Sequence, residues 1–151
     1  VLHVVKRQVP AFGSFQPIRL RAPYFDLLQD IDVAPSQRLV LSGSEVEYLF
    51  GQQSVLVPAQ HLLATHTAYL PKIDKPLTTY MQLLLPDHAA PVAAGAVVES
   101  LFIGRLRRDQ GRLAASLLAG LDRSGLPEHG RLKHPVLRSF DATVLAERRI
   151  A

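Results

Sequence analysis

The stretch from Arg38 to Pro58 constrains the fold more than any other part of the chain. An apolar run, Arg38-Leu39-Val40-Leu41, meets the polar tetrad Ser42-Gly43-Ser44-Glu45, and a second apolar run, Val46 to Phe50, is followed by Ser54-Val55-Leu56-Val57-Pro58. Apolar runs this short, bounded by turn residues, read as strands, and strand, turn, strand is the preferred reading. The competing reading is a helix from the tetrad, because Ser42 and Glu45 match the Ser-x-x-Glu capping box. Gly43 favours the turn, and Gly51 would limit any helix to two turns.

The same punctuation organises the rest. Val1 to Val5 is β-branched and apolar enough for a strand, closed by Pro10 and Gly13, and Tyr24 to Leu28 suits a short helix stopped before Pro35. Pro58 is placed as a first helical residue ahead of Leu62 and Leu63. Leu77 to Leu85 reads as a buried strand or a short helix. Val92 to Ile103 is apolar almost all round, which predicts a largely buried helix. Leu113, Leu117, Leu118 and Leu121 recur at helical spacing, and Val136 to Ala146 suits a last strand. The fold class expected is α+β: one globular domain over residues 1–151, with an antiparallel sheet packed against helices.

Composition narrows the chemistry. The chain has no cysteine, which removes disulfides, thiolate metal sites and a cysteine nucleophile together. No secretory signal is visible, and the most apolar run, Ala89 to Ile103, is broken by Pro91 and Glu99 and falls short of the roughly 20 residues that cross a bilayer. A soluble, intracellular and cytoplasmic protein with no membrane contact is the expectation. Phosphate-cradling glycine pairs, a Walker-type lysine and the serine nucleophile elbow are all missing. His61 and His66 are five residues apart and, on a helix, would diverge by about 140°. His129 and His134 lie in a polar loop without a carboxylate at distinctive spacing, so neither a metal nor another cofactor is expected.

Charge is uneven. Through residue 100 there are seven Lys/Arg against eight Asp/Glu, and beyond it ten against five, so the net charge of +4 resides in the last third. On a helix, Arg105, Arg108 and Arg112 would form one stripe able to meet phosphate, although Asp109 is placed to pair with Arg105 or Arg112. Recognition motifs and interleaved aromatics are lacking.

The order of signals in roughly the first 80 residues resembles chorismate lyase and its relatives. The matching pieces are Val1 to Val9, Arg38-Leu39-Val40-Leu41, Tyr48-Leu49-Phe50 through Val57-Pro58, His61-Leu62 and Pro76-Leu77. Two departures stand out: the family's Pro-Leu-Gly step is Pro76-Leu77-Thr78, and its C-terminal glutamate has Glu147 as the one candidate replacement. The resemblance implies a domain that binds an aromatic or carboxylated small molecule, with or without turnover, through Arg38 and Glu147. Arginine suits a ligand carboxylate because its planar fork makes two charge-assisted bonds. The alternatives are a nucleic-acid-associated accessory protein using Arg105, Arg108 and Arg112, and a structural or assembly protein that self-associates through the apolar Val92 to Ile103 segment.

Overall fold

The computed structural model describes residues 1–150. In chain order the elements are β1 (His3–Pro10), β2 (Ile18–Leu20), β3 (Ile31–Val33), β4 (Arg38–Ser42), α1 (Ser44–Phe50), β5 (Ser54–Pro58), β6 (Ala68–Tyr69), β7 (Leu77–Leu84), β8 (Val92–Ala93), β9 (Ala96–Val97), α2 (Gln110–Ala114) and α3 (Ser139–Ile150). Single 3-10 turns at Gly13–Phe15, Tyr24–Asp26, Ala59–Leu62, Leu106–Arg108 and Arg123–Gly125 connect them. The strands form four small antiparallel sheets, β1–β7, β3–β2–β6, β4–β5 and β8–β9, so the fold class is α+β as expected. No helix of the described residues is long and apolar enough to cross a membrane.

Two expectations from the central block change places. Val46 to Phe50 is not a strand: it belongs to α1, which starts after Gly43 and ends at Gly51 in the left-handed conformation (φ 64°). The hairpin partner of β4 is instead β5, from Arg38 opposite Pro58 to Ser42 opposite Ser54. The helix wins without the Ser42 cap: its N-cap residue is Gly43, which offers no side chain to bond the first amides. Val46 is fully buried, and packing of that face supplies what capping does not.

The main core gathers Ile18, Leu20, Leu39, Leu41, Val55, Val57 and Leu62 with Leu145 of α3. A second cluster, Leu84, Leu113, Leu118 and Leu126, lies under β7 and the later turns. The C-terminal segment, expected to end as a strand, is the helix α3, with Ala142, Leu145 and Ala146 on one buried face. A parallel bridge between Leu56 and Val136 ties its approach to β5, with Leu56 N donating to Pro135 O and Leu137 N to Leu56 O, both at 2.8 Å.

The segment expected to be a buried helix is a hairpin. Val92 pairs with Val97 and Ala93 with Ala96, and the turn residues Ala94 (φ 50°) and Gly95 (φ 99°) both lie at positive φ. Two such residues in a row give the tight turn whose twist suits a two-residue hairpin. The amphipathic helix expected through Leu121 stops at Ala114, leaving Leu113 and Leu118 buried and Leu117 exposed.

Candidate functional site

Alternation along β4 divides its side chains between two faces. Leu39 and Leu41 enter the main core, which leaves Arg38 and Val40 on the opposite face, beside Leu56 of β5. The chain leaving the β8–β9 hairpin runs along the free edge of β4. Leu39 bridges Val98, and Glu99 N donates to Arg38 O at 3.0 Å, so Glu99 and Arg38 are cross-strand neighbours on one face.

There they form a bidentate ion pair. Arg38 Nη2 donates to Glu99 Oε2 at 2.8 Å, and Arg38 Nε donates to Oε1. His88, on the arm that opposes Glu99 in the extended hairpin, brings its Nε2 to 2.9 Å from Glu99 Oε2. The arms are joined by Ser100 N to Ala89 O (2.8 Å) and Val98 N to Pro91 O (2.9 Å), which fixes this diagonal approach. Gln37 Nε2 donates to the carbonyls of both Arg38 and Glu99 at 3.2 Å and locks the two backbones together. The side chains of His88 and Glu99 are each 8% exposed.

Burial pushes the His88 imidazole below its ordinary range; the hydrogen bond and charge of Glu99 pull the other way, while the neighbouring His129 and Arg38 add to the lowering. His88 is therefore neutral near pH 7, with Nε2–H donating to Glu99 and the lone pair on Nδ1. A neutral, oriented imidazole of this kind accepts and returns a proton. Its ring lies 5.1 Å from that of Phe102, which stacks on His129 at 6.0 Å. His129 is pinned as a strut: Nε2 meets Leu85 O at 2.9 Å, and Nδ1 accepts from Ile103 N at 3.2 Å. Beside His88 lies a pocket of about 60 Å³ with Val40 and Leu56 as apolar wall and Lys133 and His134 contributing to its lining. Among the described residues, no group of three or more His, Cys, Asp or Glu is placed to hold a metal ion.

Of the ligand- and nucleic-acid-binding candidates read from the sequence, Arg38 alone is in this site. Its fork is filled by Glu99 of the same chain. Glu147 is exposed on α3. Arg105, Arg108 and Arg112 form no helical stripe, because the backbone breaks at Asp109 (φ −115°, ψ 97°), whose carboxylate caps α2 by accepting from Arg112 N. Arg108 is bound on both sides by Glu128. Sequence reasoning passed over His88, Glu99 and Gln37. One signal was available: Glu99 is a lone carboxylate in an apolar run, and such a residue is rarely buried without a partner.

A half-buried histidine oriented by an ion-paired carboxylate is an arrangement able to accept and return a proton. The model of the Hint domain family matches residues 1–105, and the chain belongs to that family. Arg38, His88 and Glu99 lie within the match, whereas His129, Lys133 and His134 lie beyond it. No curated protein and no solved structure matches the chain. The family overturns the resemblance to chorismate lyase, which rested on short strings that recur by chance, together with the lyase-like ligand-binding function it implied. The nucleic-acid and apolar-helix assembly alternatives gain no support from the family either, and the helix on which the second rested is a hairpin.

Proposed function

We propose that this is a Hint domain of the autoprocessing, intein-like kind, in which His88 moves the proton during cleavage or rearrangement of a peptide bond. The observation that carries the reading is the chain of contacts Arg38 to Glu99 to His88, which fixes one ring nitrogen as donor and leaves the other as acceptor. Breaking a peptide bond requires a nucleophile to attack the carbonyl carbon while losing its proton, and the departing amine must gain one. His88 Nδ1 takes the first proton and returns it to the amine nitrogen as the C–N bond breaks, so the imidazole ends as it began. Glu99 stabilises the transient imidazolium, and the bidentate contact from Arg38 holds the Glu99 carboxylate in place from its other side. These 151 residues contain no thiol, so a nucleophile drawn from them is a serine or threonine hydroxyl, or a water in their place.

The test is intact-mass spectrometry of the full chain fused between two tagged, folded reporters, incubated near neutral pH with and without hydroxylamine to capture an ester. Fragments should accumulate, and His88→Ala should slow them by about 10²- to 10⁴-fold, the usual worth of a positioned acid–base group. A fusion that stays intact throughout, or one cleaved equally fast with His88→Ala, defeats the proposal.

A further inference from the structure

Lys133 and His134 line the pocket beside His88, and both lie on a segment pinned at its two ends. At its start, His129 N donates to Gly104 O at 3.0 Å, and the His129 ring is held at Leu85 O. At its end, Leu56 N donates to Pro135 O and Leu137 N to Leu56 O, both at 2.8 Å. The residues between form a strap held against the site, and the strap lies wholly beyond residue 105, where the family match ends. Among the described residues Lys133 has no ion-pair partner, and Glu99 is already taken up by Arg38 and His88. A lysine ammonium is a compact point charge on a flexible stem, so this one can follow charge that appears in the pocket.

The size of the pocket limits what it can hold. A water-sized atom needs about 10–15 Å³ of such space, so about 60 Å³ takes roughly four to six heavy atoms. The carbon, oxygen and nitrogen of one peptide group use three of these. What remains suits a glycine, alanine or serine and is too small for a leucine or an aromatic side chain. The walls agree, since Val40, Leu56, Ala89 and Ala90 are apolar, and the polar groups of the lining are those of His88 and the strap.

We infer that Lys133 is the electrophilic partner of His88, and that the pocket admits a scissile peptide bond whose acyl residue is glycine, alanine or serine. The inference rests on the acid–base reading of His88. When a hydroxyl oxygen attacks the carbonyl carbon, its proton passes to His88 and the carbonyl π electrons move onto oxygen. The Lys133 ammonium donates a hydrogen bond to that oxyanion and keeps its own proton. The electron pair returns as the C–N bond breaks, and the amine leaves with the proton from His88, so both side chains end as they began. An ammonium gains little from a neutral carbonyl and much from an oxyanion, which makes the contact one of the transition state.

Two measurements on the full chain test this. In the reporter fusion, Lys133→Gln should slow cleavage by about 10- to 100-fold, at or below the usual worth of an oxyanion donor because this lysine is exposed. Lys133→Arg, which keeps the charge, should stay within about threefold, and neither variant should move the urea midpoint. With the cleaved bond located from the fragment masses, alanine before it should outpace leucine by about tenfold or more. The second measurement needs no turnover: methylphosphonate, an alanine-sized tetrahedral anion, is titrated while the His88 ring signals are followed by magnetic resonance. The signals should shift with the unmodified chain and with Lys133→Arg, and stay put with Lys133→Gln or with the larger phenylphosphonate. Cleavage at full rate in Lys133→Gln, leucine accepted as readily as alanine, or no Lys133-dependent shift at millimolar methylphosphonate overturns this inference while leaving the His88 reading in place. Fusions that stay intact although methylphosphonate binds through Lys133 defeat the His88 reading and, with it, the catalytic role of Lys133.

Discussion

Arg38 and Glu99 are 61 residues apart in sequence and directly opposite each other on adjoining strands. Arg38 was read as a binder of a ligand carboxylate only through the lyase resemblance, and nothing in its neighbourhood of sequence identifies its actual partner, Glu99, which comes from a segment read as helical. His88 was invisible for the same reason: its partner is 11 residues away across a hairpin, a spacing without meaning until the turn at Gly95 is known. The depressed affinity of His88 for protons has a consequence for stability. The folded protein holds this ring neutral while the unfolded chain protonates it near its ordinary value of 6.5, so unfolding takes up a proton in acid. The His88 contribution should therefore be complete above pH 6.5 and be lost as pH falls from there through the depressed folded value. Urea titrations of the unmodified chain and His88→Asn across that window should diverge, and parallel curves would show that His88 is not held neutral by the fold.

At the scale of elements, strands and short helices were confused wherever apolar runs were brief, because a buried strand and a buried helix share the same composition over that length. β1 was legible from its β-branched start and closing proline. α3 was also legible in principle. Ala142, Leu145 and Ala146 recur at helical spacing, with Asp141 in the first turn and Arg148 and Arg149 in the last, each suited to the helix dipole. The β8–β9 hairpin depends on Gly95 twice over, through its positive φ and because a Cβ there would drive far into the Asp26 carbonyl. Gly95→Ala should cost roughly 2–4 kcal/mol, from left-handed strain plus displacement of the 24–26 turn. Chemical denaturation measures this directly, and a loss below about 0.5 kcal/mol, the range of neutral surface changes, would show that the turn relaxes freely.

For the whole molecule, the α+β class followed from counting short segments of both kinds, whereas the pairing order of the strands lay in long-range contacts that no local pattern encodes. The family match ends at residue 105, yet Leu137, Ala142, Leu145 and Ala146 sit in the same core as Ile18, Leu39 and Val57. Residues beyond the match thus complete the hydrophobic interior of residues within it. Leu145→Ala, at a position with no solvent exposure, should destabilise the protein by about 2–5 kcal/mol. Thermal or urea unfolding followed by circular dichroism reads the loss, and an unchanged midpoint would mean that α3 is only loosely docked.

The parallel bridge from Leu56 to Val136 also bears on synthesis. Its two halves leave the ribosome 80 residues apart, and α3, which closes the core, follows still later. During that interval β4 and β5 have each other but no cover from α3, leaving apolar side chains open to chaperones or to premature association. Consolidation of the native interior is consequently deferred until the last helix has cleared the exit tunnel, however early the β4–β5 pair forms.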